Sequence, residues 1–209
     1  MLQEPHVRDR LARRRPRVLQ GPPERPYAAV AAVLRYPHPD APEVLLIRRA
    51  EDPRDPWSGH MAFPGGRRER DDGSLQNTAA RETAEEVGLD LKRHGELLGR
   101  LDDVEAMAKA KRTGLIIAPF VFLLRAQDVE LRLEANEVAE AVWVPLRPIM
   151  DGTLDAPFRF RERDLDLTLP SYRLDDERVV WGLTHRMLSM FFREICAPLS
   201  TADVVPTSR

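Results

Sequence analysis

The sequence predicts an α/β fold, an α/β/α sandwich built on a mixed central sheet, from three observations. Two runs rich in Val, Leu and Ala, Tyr27 to Tyr36 and Glu43 to Arg48, flank the turn sequence HPDAP and read as adjacent strands. The run Gly114 to Leu124, GLIIAPFVFLL, is apolar almost throughout and reads as a central strand buried on both faces. Two helical patterns accompany them: the Glu-rich Thr78 to Val87, and Gly182 to Ile195 with Leu183, Met187, Met190 and Phe191 near one face. One helix on each side of such a sheet makes the sandwich.

In chain order, residues 1–26 carry many Arg and several Pro but few large apolar residues, a composition that does not order itself independently. An N-terminal arm is expected there, partly extended or folded into a short solvated helix that packs on the domain or on a partner. The domain itself is expected over 27–196, with a C-terminal tail over 197–209. Pro53, Pro56, Asp52 and Asp55 put a loop over Ala50 to His60, leading to a short strand at Met61 to Phe63. Pro64, Gly65 and Gly66 then form a turn without Cβ at two positions, where backbone carbonyls can approach a metal or phosphate closely.

Asn77 or Thr78 is expected to cap the following helix, and Gly88 to end it in the left-handed conformation with Leu89 returning to the core. Glu96 to Asp102 reads as a strand. Asp103 to Thr113 reads as a loop whose Lys109, Lys111 and Arg112 either overhang a site or are simply solvated. Pro119 implies a bulge or an edge segment within its strand. Ala135 to Leu146 reads as a polar loop and a strand ending at Pro145, with Trp143 in the core. Residues 147–170, which include the charged run Arg159 to Asp164, read as an excursion that adds little to the core or lines a groove. Ser171 to Trp181 reads as a hairpin before the last helix.

Composition bounds the function. At 209 residues the chain suits one well-packed domain. With 32 basic and 34 acidic residues the net charge is −2, so nothing draws the whole molecule to nucleic acid or an anionic membrane, and phosphate recognition must be local. The Arg8 to Arg17 patch is the one exception to weigh as a nucleic-acid contact, and a solvated helix is the simpler reading. No apolar run approaches the ~18 residues of a membrane span, and residues 1–26 lack the apolar core of a secretory signal, so a cytoplasmic protein is expected. A single cysteine, Cys196, rules out an internal disulfide and a Cys-based metal site.

The chemistry concentrates between Phe63 and Leu89. In a helix over Thr78 to Val87, Glu82, Glu85 and Glu86 share a face, while Ala80, Thr83, Ala84 and Val87 fall opposite, a small apolar face suited to close packing on a sheet. Like charges at these spacings each cost ~0.2 to 0.5 kcal/mol, and Arg81 is placed to pair with Glu85 alone. A cation over that face is therefore expected. Hard oxygen ligands with no Cys or His cluster nearby point to Mg²⁺ or Mn²⁺ rather than zinc.

Gly66, five residues, Asp72, eight residues, Arg81-Glu82, two residues, Glu85-Glu86, one residue, Gly88-Leu89: this order resembles the signature box of the Nudix hydrolases. The commonest form of the box has a Glu eight residues before the Arg, where this chain has Gly73 and places Asp72 one residue earlier. That longer spacing resembles the coenzyme A pyrophosphatase subgroup, which also has FPGG. Upstream, LLIRRAEDPRDPWSGHMAFPGG is similar to a second motif of that subgroup: Leu45, Leu46, Arg49, Ala50, Arg54 and Gly59 match in kind, and Ile47 replaces the usual Thr. LIIAPFVFLL also resembles a strand of that subgroup, and WGLTHRML resembles the terminal helix of Nudix domains.

The resemblance spans roughly residues 27–196 and implies the same sandwich fold. It implies attack of water on a pyrophosphate linked to another group, with Glu82 and Glu86 as primary metal ligands, Glu85 as ligand or orienter, and a Gly65 or Gly66 carbonyl completing the shell. Arg81 belongs to the same catalytic set. Glu137 is the candidate base or further ligand, with Glu134 and Glu140 as neighbours that compete for the role. Arg49 and Arg54 suit phosphate recognition, because guanidinium groups bind phosphate oxygens two at a time. The implied substrate is coenzyme A or an acyl derivative. An ADP-ribose, NDP-sugar, dinucleoside polyphosphate or nucleoside triphosphate pyrophosphatase, and a non-catalytic nucleotide-sensing module, are the alternatives. The expected partners are thus a small nucleotide, at most a second copy of the chain as a homodimer, and neither membrane nor nucleic acid.

Overall fold

The paired apolar runs form the first hairpin of the sheet. β1 (Tyr27–His38) and β2 (Ala41–Arg49) are antiparallel with Leu34 opposite Val44, and Pro39 and Asp40 make the turn between them. The structure, a computed structural model, describes residues 1–20, 25–55, 57–108, 111–126, 129–162 and 165–197. The other edge of β1 lies parallel to β7 (Lys111–Leu124), in register from Tyr27 opposite Ile116 to Leu34 opposite Leu123. Both strands are buried on both faces, as an apolar run without alternation requires.

β8 (Val138–Pro145) extends the sheet beyond β2. β3 (Met61–Ala62) pairs with the end of β2, and β4 (Gly65–Arg67) with the start of β1, so the turn between them sits where the two long strands diverge. Along the far side of β7 run β5 (Gly95–Arg100) and then β6 (Val104–Ala108), both antiparallel to it. Pro119 falls at their junction: the Leu101 N–H donates to the Pro119 carbonyl at 2.9 Å, and the missing proline donor faces the bend between the two strands. The segment expected as a loop over Asp103 to Thr113 is instead the β6–β7 hairpin, in which Val104 and Ala106 point into the core while Glu105 is half-buried and Met107 exposed. Of the basic residues assigned to that loop, Lys109 lies outside the described residues, and Lys111 and Arg112 open β7.

Helices cover both faces. α2 (Leu75–Val87) packs Ala79, Ala80 and Val87 against Ala29, Ala31, Leu45 and Ile47, where small side chains let helix and sheet approach closely. α3 (Leu91–His94) is a single turn leading into β5. The opposite face is covered by α5 (Gly182–Cys196), through Met187, Leu188, Met190, Phe191 and Ile195, and by α1 (Glu4–Arg13). The Thr184 hydroxyl donates to the Met61 carbonyl at 2.9 Å and ties the start of α5 to β3.

The N-terminal arm is more closely integrated than its composition implies. Leu2, Val7 and Leu11 are 1%, 0% and 2% exposed, and they belong to the same core cluster as α5. Its arginines serve internal partners: Arg8 pairs with Glu96 and Glu4, Arg10 with Glu194, and Arg14 with both Asp102 and Glu194. Residues 14–20 continue without helix or strand.

After β8, α4 (Leu146–Met150) buries Leu146 and Ile149, and the charged excursion becomes a hairpin, β9 (Asp155–Glu162) with β10 (Leu165–Arg173), to which β11 (Val179–Trp181) adds a third strand. The last two residues of the charged run, 163 and 164, lie outside the described residues, as does the tail from residue 198. Trp143, expected in the core, is half-buried against it, with the Arg35 guanidinium 4.3 Å from its ring centroid.

Candidate active site

α2 begins three residues earlier than the sequence pattern indicates. Ser74 is its N-cap, accepting the Asn77 N–H at 3.1 Å, which makes Leu75 to Asn77 helical rather than capping residues. Gly88 ends the helix at φ 71° and donates to the Ala84 carbonyl, the left-handed stop its position calls for.

The three glutamates do not share one environment. Glu86 follows Ala79 by seven residues and Thr83 by three, so it lies on the buried stripe of the helix, and it is 2% exposed. Ala84, assigned to the packing face, is exposed instead. The Glu82 side chain is 14% exposed, and that of Glu85, turned outward, is 54% exposed. The expected common solvent face thus becomes an inward pair and one outlier.

The glycine turn makes room for that inward pair. The Gly65 N–H donates to Glu86 Oε2 at 2.7 Å, and a Cβ on Gly65, whose φ is 151°, would stand 2.3 Å from the Ala29 carbonyl oxygen. A Cβ on Gly66 would meet the Glu82 carboxylate at 2.4 Å. Only glycine at both positions lets the turn lie against β1 and cradle Glu82.

Arg81, expected to pair with Glu85 alone, donates hydrogen bonds to three carboxylates and lies 4.0 Å from a fourth, Glu69. Its Nε and Nη2 donate to the two oxygens of Asp72 at 2.8 and 3.1 Å, Nη1 donates to Glu85 at 2.7 Å, and Nη2 also reaches Glu82 at 3.0 Å. The two-point contact with Arg81 holds the buried Asp72 carboxyl well below the usual carboxylate range, helped by the Glu69 N–H and the Thr78 hydroxyl. Asp72 in turn fixes the guanidinium from which Glu82 and Glu85 are oriented.

Burial pushes Glu86 up to about 8, against the Gly65 N–H and Arg49, and with the charges of Glu82 and Glu137 adding to the rise. Burial also raises Glu82, opposed by Arg81. Glu137 is exposed, at the turn before β8, and its charge acts on both inward glutamates. Of its two competitors, Glu134 bonds Asn136, and Glu140 is paired with Arg178 and Arg48.

The two candidate phosphate-binding arginines separate. Arg49 Nη1 lies 3.7 Å from Glu86 Oε1, and its Nε donates to Asp55 at 2.8 Å. Arg54 projects outward with a 90% exposed side chain and pairs with Asp52 across the turn. Asp55 is the residue that sequence reading passes over: it accepts from Arg49 with one oxygen and caps the Trp57 N–H with the other, so it orders the loop and aims the arginine together. The DPRDP pattern, with Asp residues that bond their own backbone two positions on, carries that signal.

The donor set is hard oxygen throughout, and its excess negative charge is met in this arrangement by Arg49 and Arg81. Among the described residues no group of three or more acidic, His or Cys side chains is arranged to hold a metal ion, so the chemistry of the donor set, hard oxygen throughout, is what fits a divalent cation here.

A model of the NUDIX domain matches residues 25–165 of this chain. The chain belongs to the Nudix family. A Schizosaccharomyces pombe protein is 44% identical over 116 residues, covering 54% of this chain and 35% of that protein. The peroxisomal coenzyme A diphosphatase ndx-8 of Caenorhabditis elegans is 31% identical over 162 residues, 75% of this chain and 64% of the relative. The chain therefore spans about a third of the one and under two-thirds of the other. The crystal structure of a MutT/nudix family protein from Enterococcus faecalis covers 84% of this chain and 64% of its own, at a TM-score of 0.50 and 19% identity, a likeness of fold alone. The Nudix assignment agrees with the mixed sheet and its flanking helices. No helix among the described residues is long and apolar enough to cross a membrane.

Proposed function

We propose that this Nudix protein is a divalent-metal-dependent pyrophosphohydrolase that cleaves coenzyme A or an acyl-coenzyme A to 3′,5′-ADP and a 4′-phosphopantetheine product. The observation that carries the reading is the junction of Glu82, Glu86, the Gly65–Gly66 turn and Arg49 at one point, with Glu137 close enough to act on both glutamates. Glu82 and Glu86, with the Gly66 carbonyl, are the residues that would hold Mg²⁺ or Mn²⁺. Glu85, exposed and bonded to Arg81, suits orienting that arginine better than ligation. When bound, such an ion lowers the pKa of the attacking water and offsets the charge of the pyrophosphate.

The chain's own residues then divide the work. Arg49, aimed by Asp55, grips a phosphate oxygen beside Glu86 and stabilises the charge that builds on the leaving phosphate. Glu137 accepts the proton of the attacking water from the open side. Asp72 and Arg81 keep Glu82 in place throughout. Glu137→Gln is expected to lower kcat by ~10² to 10⁴ with little change in KM. An equal loss on changing Glu134 or Glu140 would transfer the role.

Coenzyme A is favoured by the Asp72 form of the box, the LLIRRA to FPGG approach and the nematode relative's named activity. Its 3′-phosphate supplies the test. A site that pairs this group loses ~1.5 to 3 kcal/mol of binding when it is absent, so kcat/KM for dephospho-coenzyme A should fall at least about tenfold. Arg49→Ala should depress both substrates, since Arg49 lies by the pyrophosphate position, and Arg54→Ala should reduce the preference between them. Hydrolysis of ADP-ribose or another nucleotide without turnover of either coenzyme would discard the substrate and keep the reaction. Failure on a generic pyrophosphate substrate with Mg²⁺ would favour the nucleotide-sensing module.

A further inference from the structure

A cavity of about 440 Å³ opens on the side of the central sheet that α5 covers, away from α2, and no residue of the glycine turn or the glutamate set lines it. Its floor is apolar and adaptable, formed by Leu19, Met107 and Met190. Its charged wall carries three carboxylates, Asp102, Asp103 and Glu105, and three guanidiniums, Arg17, Arg186 and Arg193.

These opposite charges do not cancel each other. Asp102 accepts from Arg14 at 2.6 Å, Asp103 is bound by Arg100, and Glu105 accepts from Arg25 at 2.7 Å. Glu194, which shares Arg14, is also bonded by Arg10. Among the described residues Arg10, Arg14, Arg25 and Arg100 thus engage these four acids, and Arg17, Arg186 and Arg193 are the other arginines around the cavity. Among the described residues Arg186 and Arg193 make no ion pair, and Arg17 makes no side-chain hydrogen bond, its charge lying near an Asp102 that Arg14 already engages.

The unmatched arginines are also held apart by rigid elements. Arg186 and Arg193 are seven residues apart on α5, about 10 Å along its axis, with Met190 between them on the same face. Arg17 is presented by a pinned backbone: its N–H donates to Asp102 at 2.7 Å, its carbonyl accepts from the Asp103 N–H at 3.0 Å, and the Leu19 N–H donates to Asp103 at 2.9 Å. The Arg-rich N-terminal patch is therefore largely committed to internal carboxylates, and Arg17 is the member it offers to this cavity.

We propose that this cavity is a second ligand site, specific for a phosphate-bearing molecule of nucleotide size. The phosphates bridge Arg17, Arg186 and Arg193, and the base lies over Met107 and Met190. The volume is within the ordinary range of small-molecule sites, and guanidinium groups are the side chains best shaped for phosphate. The inference is independent of the hydrolase reading, because it shares no residue with the α2 site.

Titration calorimetry of the full chain in EDTA, where metal-dependent turnover is suppressed, tests it with ADP, 3′,5′-ADP and inorganic pyrophosphate. Binding of at least one nucleotide is expected, tighter than pyrophosphate and weakening as salt is raised. Arg186→Ala/Arg193→Ala, and separately Arg17→Ala, should weaken it at least about tenfold, the scale of a lost charge-assisted contact. These side chains are exposed, so the variants should keep the wild-type melting temperature. Glu82→Gln, which alters only the α2 site, should bind as the wild type does. Undiminished affinity in the arginine variants, an equal loss in Glu82→Gln, or no heat from any of the three probes at millimolar concentration would overturn the proposal.

Discussion

Glu86 is the residue whose environment differs most from its expected place on an exposed face, and the difference changes what its replacement should do. In Glu86→Gln an amide oxygen still accepts the Gly65 N–H, while the carboxyl whose ionisation burial opposes is gone. Turnover with Mg²⁺ should be abolished, and the melting temperature in EDTA should equal or exceed that of the wild type. Wild-type kcat in this variant would remove Glu86 from the metal set. Asp72 behaves oppositely, because its pKa is depressed by Arg81. A depressed carboxyl contributes stability that is full above its unfolded value of 3.8 and is lost as pH falls below that toward the folded value. Asp72→Asn should therefore cost ~1.5 to 3 kcal/mol at pH 7, the scale of hydrogen bonds to charged groups. In denaturant titrations the gap between the two proteins should be constant above about pH 5 and narrow steadily as pH falls below 3.8; a gap that does not narrow in acid would contradict the pairing.

At the level of the element, the glycine turn and α2 work as one device, and two neighbouring substitutions should separate its functions. Gly65→Ala drives a Cβ into the Ala29 carbonyl at a φ that L residues avoid, so stability should drop by ~2 kcal/mol or more. For Gly66→Ala the nearest atoms are those of the Glu82 carboxylate, the far end of a flexible side chain that can swing away. It should melt close to the wild type yet lose at least about tenfold in kcat, because the displaced carboxylate is the proposed ligand. A Gly66→Ala protein that unfolds like Gly65→Ala would show that the cradle serves folding alone. The loop before this turn was legible only in part. Its prolines and aspartates mark it as a loop, but which arginine points inward depends on the Asp55 contact, which spacing does not reveal.

For the molecule as a whole, the helical N-terminus is part of the core. Leu2, Val7 and Leu11 are as buried as the central strands, and each fully buried aliphatic side chain contributes ~1.5 to 3 kcal/mol. Removing residues 1–13 should accordingly destabilise the protein by on the order of 5 kcal/mol and expose the α5 face. Circular dichroism melts of the shortened chain read this directly; an unchanged melting temperature would mean that α1 is dispensable to the core.

Local pattern by itself determined the strand pairing of Tyr27 to Arg48, the buried strand before Arg125, the Gly88 stop and the membership of the glutamate helix, since each rests on periodicity or a backbone constraint carried within a few residues. The box spacing likewise pointed to the family. Tertiary structure decided the rest. Glu86 is buried because the glycine turn, twenty residues earlier in the chain, closes over its helix. Arg49 rather than Arg54 reaches that carboxylate because Asp55 holds it. The arm folds because α5, from the other end of the chain, supplies the apolar surface that its own composition lacks. In each case the stabilising partner is remote in sequence, and an interaction between remote residues exists only once the sheet has brought them together.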